Sequence, residues 1–358
     1  MCNALVENSI EVDLAVPQSD MLVEDATLYL KKRFGIQINF KIIFYKREYK
    51  NSKFEKYFAY KSVRMLLSNS NADFVILRIP KYIKTVLSSG KKLIFESHNS
   101  LLHDKIPIIN NYWKWRILKQ VKDKNFVLFI SISENLAKFW KKLGVPSSKS
   151  ITLHDGFSME KYLIIPNKEK IRKQLNIPTN DKVVMYVGSL YPDRNIDNIL
   201  EAAREIPNFI FYIIGGPEKY QQYYLKKVRE MELLNVRLLG YVSHSKVPSY
   251  LFSADILLAL WSRKVPTIDY CSPLKLFEYM ASGKIILAHD FITIREVLSH
   301  NIDAILIDPD NPQSLSQALS NIDVLNSSMG ILARKKVFEY YSWKTRAKLI
   351  INNLKTLN

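Results

Sequence analysis

Short apolar runs recur along the chain, and between them lie longer stretches whose apolar residues fall three and four apart. The runs Ile10–Val16, Lys41–Tyr45, Phe74–Ile79, Lys92–Phe95, Phe126–Ser131 and Ser150–Leu153 read as strands. Met1–Ser9 reads as the last two turns of a helix, and further helices are predicted over Asp25–Arg33, Phe54–Leu67, Ile83–Leu87, Ile106–Lys122 and Ser133–Leu143. A polar stretch, Pro166–Lys170, reads as a linker, and a second alternation follows it. Its strands are Val183–Val187, Phe209–Ile214, Val236–Leu239, Asp255–Ala259, Ile285–Ala288 and Ala304–Ile307. Ile196–Glu205, Tyr220–Leu233, Lys246–Phe252 and Pro312–Leu319 are the helices between them, and Arg334–Lys355 reads as one long terminal helix. Strands alternating with helices predict α/β architecture, a parallel sheet covered on both faces in each of two Rossmann-like halves.

The second half contains the stretch with the most local meaning, Ser272 to Lys284. Ser272 suits an N-cap, Pro273 the first helical position, and Gly283 the left-handed residue that ends a helix. Leu274, Phe277 and Ala281 then share one face, with Lys275 and Glu278 on another. A helix N-terminus beside a lysine is an anion site suited to a diphosphate, although Lys275 and Glu278 also read as an ordinary surface ion pair. In open α/β sheets, ligands lie at the carboxyl ends of the strands. The polar or glycine-bearing endings are Glu96–Asn99, Gly188–Leu190, Gly215–Pro217 and Ser262–Ser272, so the second half is the better home for a phosphorylated ligand. No G-x-G-x-x-G occurs, which argues against a nicotinamide site.

Composition narrows the partners. The 358 residues are 47% apolar and 24% charged, with no apolar run near the ~20 residues of a membrane span. The opening stretch holds Glu7, Glu11, Asp13 and Asp20 and lacks the order of a secretory leader. Cys2 and Cys271 are too few for a disulfide framework or structural zinc, and the reading is cytoplasmic. A net charge of +18 calls for an anionic partner or a solvated basic surface. Without an arginine-rich tail, zinc finger or aromatic RNP-like strand, nucleic acid is set aside. The helix Ile106–Lys122, with Tyr112, Trp113 and Trp115 among lysines, suits either an anionic membrane surface or simple core packing.

Several segments together resemble one family. They are "VVMYVGSLYPDRNIDNILEAA", "FYIIGG", "VRLLGYVSHSKVPSYLFSADILLAL" and "SPLKLFEYMASGKIILAHD", with "FESHNS", "FISISENLAKFWKKLGVPSSKSITLHDGF" and "YSWKTRAKLI". The chain resembles the retaining, nucleotide-sugar-dependent glycosyltransferases of family four (group 1). The resemblance implies the GT-B fold, two Rossmann-like domains facing across a cleft. It places an acceptor domain over 1–163, a donor domain over 164–337, and a terminal helix, 338–358, returning to the first domain.

By the same resemblance Glu278 holds the donor ribose, and His98, after the fourth strand, lies near the transferred sugar. Arg194 and Lys275 neutralise the diphosphate, Gly188 and Gly216 allow close backbone approach, and Ser272 and Leu274 offer backbone N–H groups. The family's partner arginine and first glutamate fall at Ser189 and Tyr270, which depart from its pattern. Glu96 is expected to support its loop, and His154-Asp155-Gly156 to be the turn leaving the first domain. The implied reaction uses a nucleotide-sugar donor, a glycan or lipid-linked acceptor and no metal, on or near the inner face of a membrane.

Three rivals remain: a sugar-nucleotide epimerase of the same architecture, a non-catalytic nucleotide-sugar binder or scaffold, and a basic nucleic-acid binder. The start "MCNALVENSIEVDLAVP" matches the end of the family's first helix and its second strand. That match leaves out the family's first strand and glycine loop, and predicts that Met1 is an internal methionine of a longer chain whose 358-residue form is poorly folded or inactive.

Overall fold

The computed structural model describes residues 1–17, 23–35, 37–46, 53–100, 107–322 and 328–356; Ile106, the expected start of the basic helix, lies outside them. The chain forms two compact units. One contains Met1–His154, Tyr270–Ser272 and Trp343–Asn358, the other Asp155–Asp269 and Pro273–Ser342.

In the first unit β1 (Asp13–Pro17) pairs in parallel with β2 (Lys41–Tyr45). A separate parallel sheet runs β3 (Phe74–Leu77), β4 (Lys92–Ser97), β5 (Phe126–Ser131) and β6 (Ser150–Thr152). Leu93, Phe95, Phe126 and Phe129 are buried beneath Leu136 and Trp140 of the helix Glu134–Leu143. Ser133 caps that helix, its Oγ accepting from Leu136 N at 3.2 Å, and Gly144 closes it in the left-handed region. Trp140 Nε1 donates to Ser97 Oγ at 2.9 Å and ties the helix to the end of β4. The helix Trp343–Lys355 packs Ala347 on Ala4 and Leu5, and Ile350 on Ile94, Leu128 and Ile130.

The second unit holds one six-stranded parallel sheet. Its strands are β7 (Lys182–Val187), β8 (Phe209–Ile214), β9 (Val236–Gly240), β10 (Ile256–Ala259), β11 (Ile285–His289) and β12 (Ile305–Ile307), in the order β12-β11-β10-β7-β8-β9. The chain moves outward from β7 in one direction, then returns to β10 on its other side. The ends of β7 and β10 are therefore the topological switch point where such sheets open a crevice.

Three expectations are corrected. Lys168–Gln174 is a helix and not a linker, because Asn167 caps it and its Arg172 is buried, donating to Ser253 O at 2.8 Å and Asp255 Oδ2 at 2.7 Å. The change of unit falls at His154/Asp155, ahead of 163/164. Phe157 and Tyr162 pack on Phe338 and Phe252 of the second unit, and Arg334 donates to Tyr162 O and Leu163 O. The terminal helix is two helices, Ser328–Tyr340 and Trp343–Lys355. The break occurs where Tyr341 O accepts from Phe157 N at 3.1 Å, which takes the backbone out of helical pairing.

Glu96, 1% exposed, is held by Arg346 Nη1 at 3.0 Å from the last helix and by Arg78 Nη2 at 2.7 Å. Arg346→Leu removes one partner of a buried charge and should cost about 3–5 kcal/mol in urea unfolding. Burial pushes the Glu96 carboxyl up, but the His98 hydrogen bond and the charges of Arg346 and Arg78 hold it at about 2, below its ordinary 4.5. Its contribution to stability is thus complete above pH 4.5 and lost as the pH falls towards 2. Glu96→Gln should flatten that part of the stability profile; an unchanged acid limb refutes the assignment.

Candidate functional site

Each unit carries a cluster of polar groups at the carboxyl ends of its strands. In the second unit the organising piece is the helix Leu274–Ser282, closed by Gly283 at φ +71°. Its buried side includes Leu276, Phe277, Met280 and Ala281, and Tyr279 adds a polar anchor. The Tyr279 hydroxyl accepts from Val187 N at 2.8 Å and donates to Val187 O at 3.0 Å, at the end of β7. That contact places the first turn of the helix, and Lys275 Nζ lies 4.4 Å from the Tyr186 ring and 4.2 Å from the Trp261 ring. Trp261 follows β10, and its carbonyl lies 2.7 Å from His289 Nδ1. Burial holds His289 at about 4, with the Lys275 charge acting in the same direction, so it is neutral near pH 7.

Arg194 lies beside the same strand end. Its Nε donates to Ser189 Oγ at 3.1 Å, and Tyr186 OH donates to Ser189 O at 2.7 Å. Arg194 Nη1 and Asp193 Oδ1, 3.6 Å apart, are buried with no hydrogen-bond partner among the described residues. Burial pushes the Tyr186 hydroxyl well up, while the Arg194 charge works against it. Arg194 and Lys275 are thus both neighbours of Tyr186, beside a helix N-terminus.

The glycines close this end of the sheet. Gly188 N donates to Ile214 O at 2.9 Å, Leu190 N to Gly216 O at 2.8 Å, and Gly215 N to Gly240 O at 2.8 Å. Gly215 has φ +142°, and a Cβ there would lie 1.7 Å from Gly188 O. The close approach expected of Gly188 and Gly216 therefore depends most on Gly215.

Glu278, one turn beyond Lys275, is only 16% exposed and accepts from His244 Nε2 at 3.0 Å. His244 Nδ1 lies 3.2 Å from Lys161 Nζ. A lysine ammonium only donates, so this geometry makes Nδ1 the acceptor and Nε2 the N–H that faces Glu278. Burial pulls the Lys161 ammonium down, and Glu278 partly offsets this. Burial, with the Glu278 charge adding to it, raises the Tyr162 hydroxyl.

In the first unit His98 follows β4, with Nε2 at 2.5 Å from Glu96 Oε1. Glu96 is itself fixed by the two arginines. Arg346 reaches further, from Nε to His154 O at 2.9 Å and from Nη2 to Leu153 O at 3.3 Å. His98, half-exposed, is the open end of a rigid charged network.

Two placements differ from the sequence reading. The helix begins at Leu274 with Pro273 as its flanking residue, whose carbonyl accepts from Leu276 N at 2.9 Å, so Ser272 stands one step outside the cap position. Leu274 is 50% exposed and does not share the buried face of Phe277 and Ala281. Tyr270 packs on Phe139 within the first unit, and its carbonyl accepts from Ser133 Oγ at 2.9 Å. His244, Lys161 and Gly215 were not identified from the sequence. Only Gly215 left a local signal there, as one of two adjacent glycines after a strand.

Residues 167–328 match the family model of the glycosyl transferases group 1. The chain is 23% identical over 219 residues to an uncharacterized glycosyltransferase of Methanocaldococcus jannaschii, covering 58% of this chain and 54% of that protein. It is 23% identical over 247 residues to a lipopolysaccharide 1,2-N-acetylglucosaminetransferase of Salmonella typhimurium, covering 62% and 60%. The chain thus spans little more than half the length of these curated relatives. The crystal structure of Anabaena HepE with UDP and glucose superposes with a TM-score of 0.72 at 15% identity, over 97% of this chain and all of that one. The fold is GT-B.

Gly215→Ala should destabilise the second unit by about 3 kcal/mol or more, combining a left-handed backbone with a backbone clash. Gly216→Ala, where the nearest heavy atom to a new Cβ is 3.6 Å away, should cost less than about 1 kcal/mol. Equal melting temperatures for the two variants contradict the packing described.

Proposed function

We propose that the protein transfers a sugar from a nucleoside-diphosphate sugar to a glycan or lipid-linked acceptor, with retention of configuration, in cell-surface glycan synthesis. The observation that carries this reading is the group at the ends of β7 and β10: Lys275 over Tyr186 and Trp261, Arg194 on Ser189, and Glu278 one turn along the same helix. The UDP and glucose bound in the HepE crystal structure support a nucleotide sugar as donor.

In this reading the diphosphate meets Lys275, Arg194 and the first-turn N–H groups of Leu274–Ser282. Charge developing on the leaving group is stabilised by fixed cations and an oriented helix end, the larger part of catalysis in such a site. Gly188 and Gly216 let the backbone approach, and Glu278 accepts from the ribose hydroxyls. His98, oriented by Glu96, serves the transferred sugar. Two side-chain cations do the work a metal would otherwise do, so metal chelation should leave turnover unchanged.

The acceptor is assigned to the first unit. The lipopolysaccharide named for one relative supports a lipid-linked or polysaccharide acceptor. No helix among the described residues is long and apolar enough to cross a membrane. A cytoplasmic protein lying peripherally on an anionic leaflet accommodates both that acceptor and the +18 charge. The alternative is donor binding without transfer, favoured by the use of Tyr270 for packing on Phe139 where the family has an acid.

A hydrolysis screen of nucleotide sugars identifies the donor, and turnover separates the two readings. Glu278→Gln should weaken that donor by about 1–3 kcal/mol in calorimetry, with little effect on folding. His98→Ala should lower kcat more than donor affinity. Loss of donor binding alone in His98→Ala removes it from the chemistry.

A further inference from the structure

Glu278 is the last member of a chain of three side chains in the second unit. Lys161 Nζ lies 3.2 Å from His244 Nδ1, and His244 Nε2 lies 3.0 Å from Glu278 Oε1. Each of the two outer members is fixed by its own segment. His244 stands in the turn between β9 and the helix Val247–Ser253, where Lys246 N donates to Ser243 O at 2.8 Å and Ser249 N to Lys246 O at 3.1 Å. Val247 and Pro248, which open that helix, are buried and hold the turn down. Lys161 belongs to the 3₁₀ turn Met159–Tyr162. The Tyr162 ring is fully buried, with its centroid 5.9 Å from that of Phe252, on the same helix that follows His244. Arg334 donates to Tyr162 O and fixes the backbone there. Lys161 and His244 are 83 residues apart in sequence, yet both are mounted on one helix, which makes their contact a built one.

A glutamate on a helix samples several rotamers, and few of them let its carboxylate accept from the neighbouring hydroxyls of a ribose. A bond to Oε1 selects one rotamer before the ligand arrives, which removes an ordering cost from binding. The choice of an imidazole for that bond has a physical reason. A lysine in the place of His244 would bring three donors and a full charge, in competition with the ribose hydroxyls for the same oxygens. A neutral ring brings one donor and leaves the carboxylate its charge and its other lone pairs. It does so only as the Nε2–H tautomer, which Lys161 selects by donating to Nδ1. An ionised carboxylate only accepts, so a sugar ring without hydroxyls leaves its desolvation uncompensated.

We infer that Lys161 and His244 are positioning residues that hold Glu278 for the ribose, and that the preference of the site for ribonucleotides over dideoxyribonucleotides depends on them. The inference rests on the reading of Glu278 as the ribose acceptor, and the two can fail separately.

The test is calorimetry of the whole chain with UDP, ADP and GDP, each beside its 2′,3′-dideoxy counterpart. The ribose preference is the ratio of the two Kd values for the best-bound pair. Glu278→Gln should bring that ratio close to one. A ratio unchanged in Glu278→Gln, or no binding of any of the three ribonucleotides, overturns both the ribose reading and the inference. His244→Asn keeps an acceptor for Lys161 but does not span to Glu278. It should lower the preference about tenfold, through weaker ribonucleotide binding at unchanged dideoxynucleotide affinity. His244→Gln, whose amide reaches the position of Nε2, should restore the preference to within about threefold of the original. Lys161→Met should lower it about threefold, and adding His244→Asn to Glu278→Gln should cost nothing further. Where Glu278→Gln abolishes the preference, equal losses on both nucleotides in His244→Asn reduce His244 to a structural residue. That result, or a preference unchanged in His244→Asn or in Lys161→Met, overturns the inference and leaves Glu278 in the site. The 15N spectrum of neutral His244 needs no ligand: the Nε2–H tautomer is expected, and the Nδ1–H tautomer overturns the inference.

Discussion

The hydroxyl of Tyr279 is shared between both backbone groups of Val187, and the placement of charge in the second unit follows from it. A side chain that satisfies an N–H and a C=O at a strand end sets both the height and the rotation of its helix. One turn earlier, Lys275 is thereby laid over two aromatic rings. One residue earlier, Glu278 is turned to His244. Burial and the neighbouring Glu278 keep the Tyr279 hydroxyl protonated far above neutral pH, so the anchor persists under ordinary conditions.

The first unit relies on a different device, a carboxylate taken fully out of water. Glu96 accepts from two arginines and a histidine, and one of the arginines comes from the last helix of the chain. An ion cluster of this kind adds little stability compared with apolar packing of the same volume, but is costly to break. What it does add is orientation. With Glu96 immobile, His98 is presented from a fixed carboxylate instead of a loop free to turn. The same Arg346 also accounts for two backbone carbonyls at the end of β6.

Charge is thus used in three ways in one protein. The buried Arg172 and the partly exposed Asp255 form a structural pair in the second unit. Arg194 and Lys275 are cations held against a hydroxyl oxygen and aromatic rings at strand ends. Arg64, Lys84 and Arg116 converge on an open cavity at the surface. Net charge alone does not distinguish these uses, because each depends on what lies within a few ångströms of the charged atom.

Much of the fold was legible in the chain because its information is local. Buried parallel strands are short apolar runs, and Ser133 or Gly283 mark helix ends through their own backbone and side-chain chemistry. Lys275 and Glu278 stood out for the same reason, lying within one short helical segment. Where the signal was not local, the reading went astray. Nothing near residue 341 announces a break, since it comes from pairing with Phe157, far away in the chain. Likewise the helix at Lys168 depends on a buried Arg172 whose partner, Asp255, is remote in sequence. His244 and Lys161 join Glu278 from two other segments, and Arg346 reaches Glu96 from 250 residues further along the chain. Periodicity and capping determined which elements form; only the tertiary structure, by closing long loops, decided which charges meet.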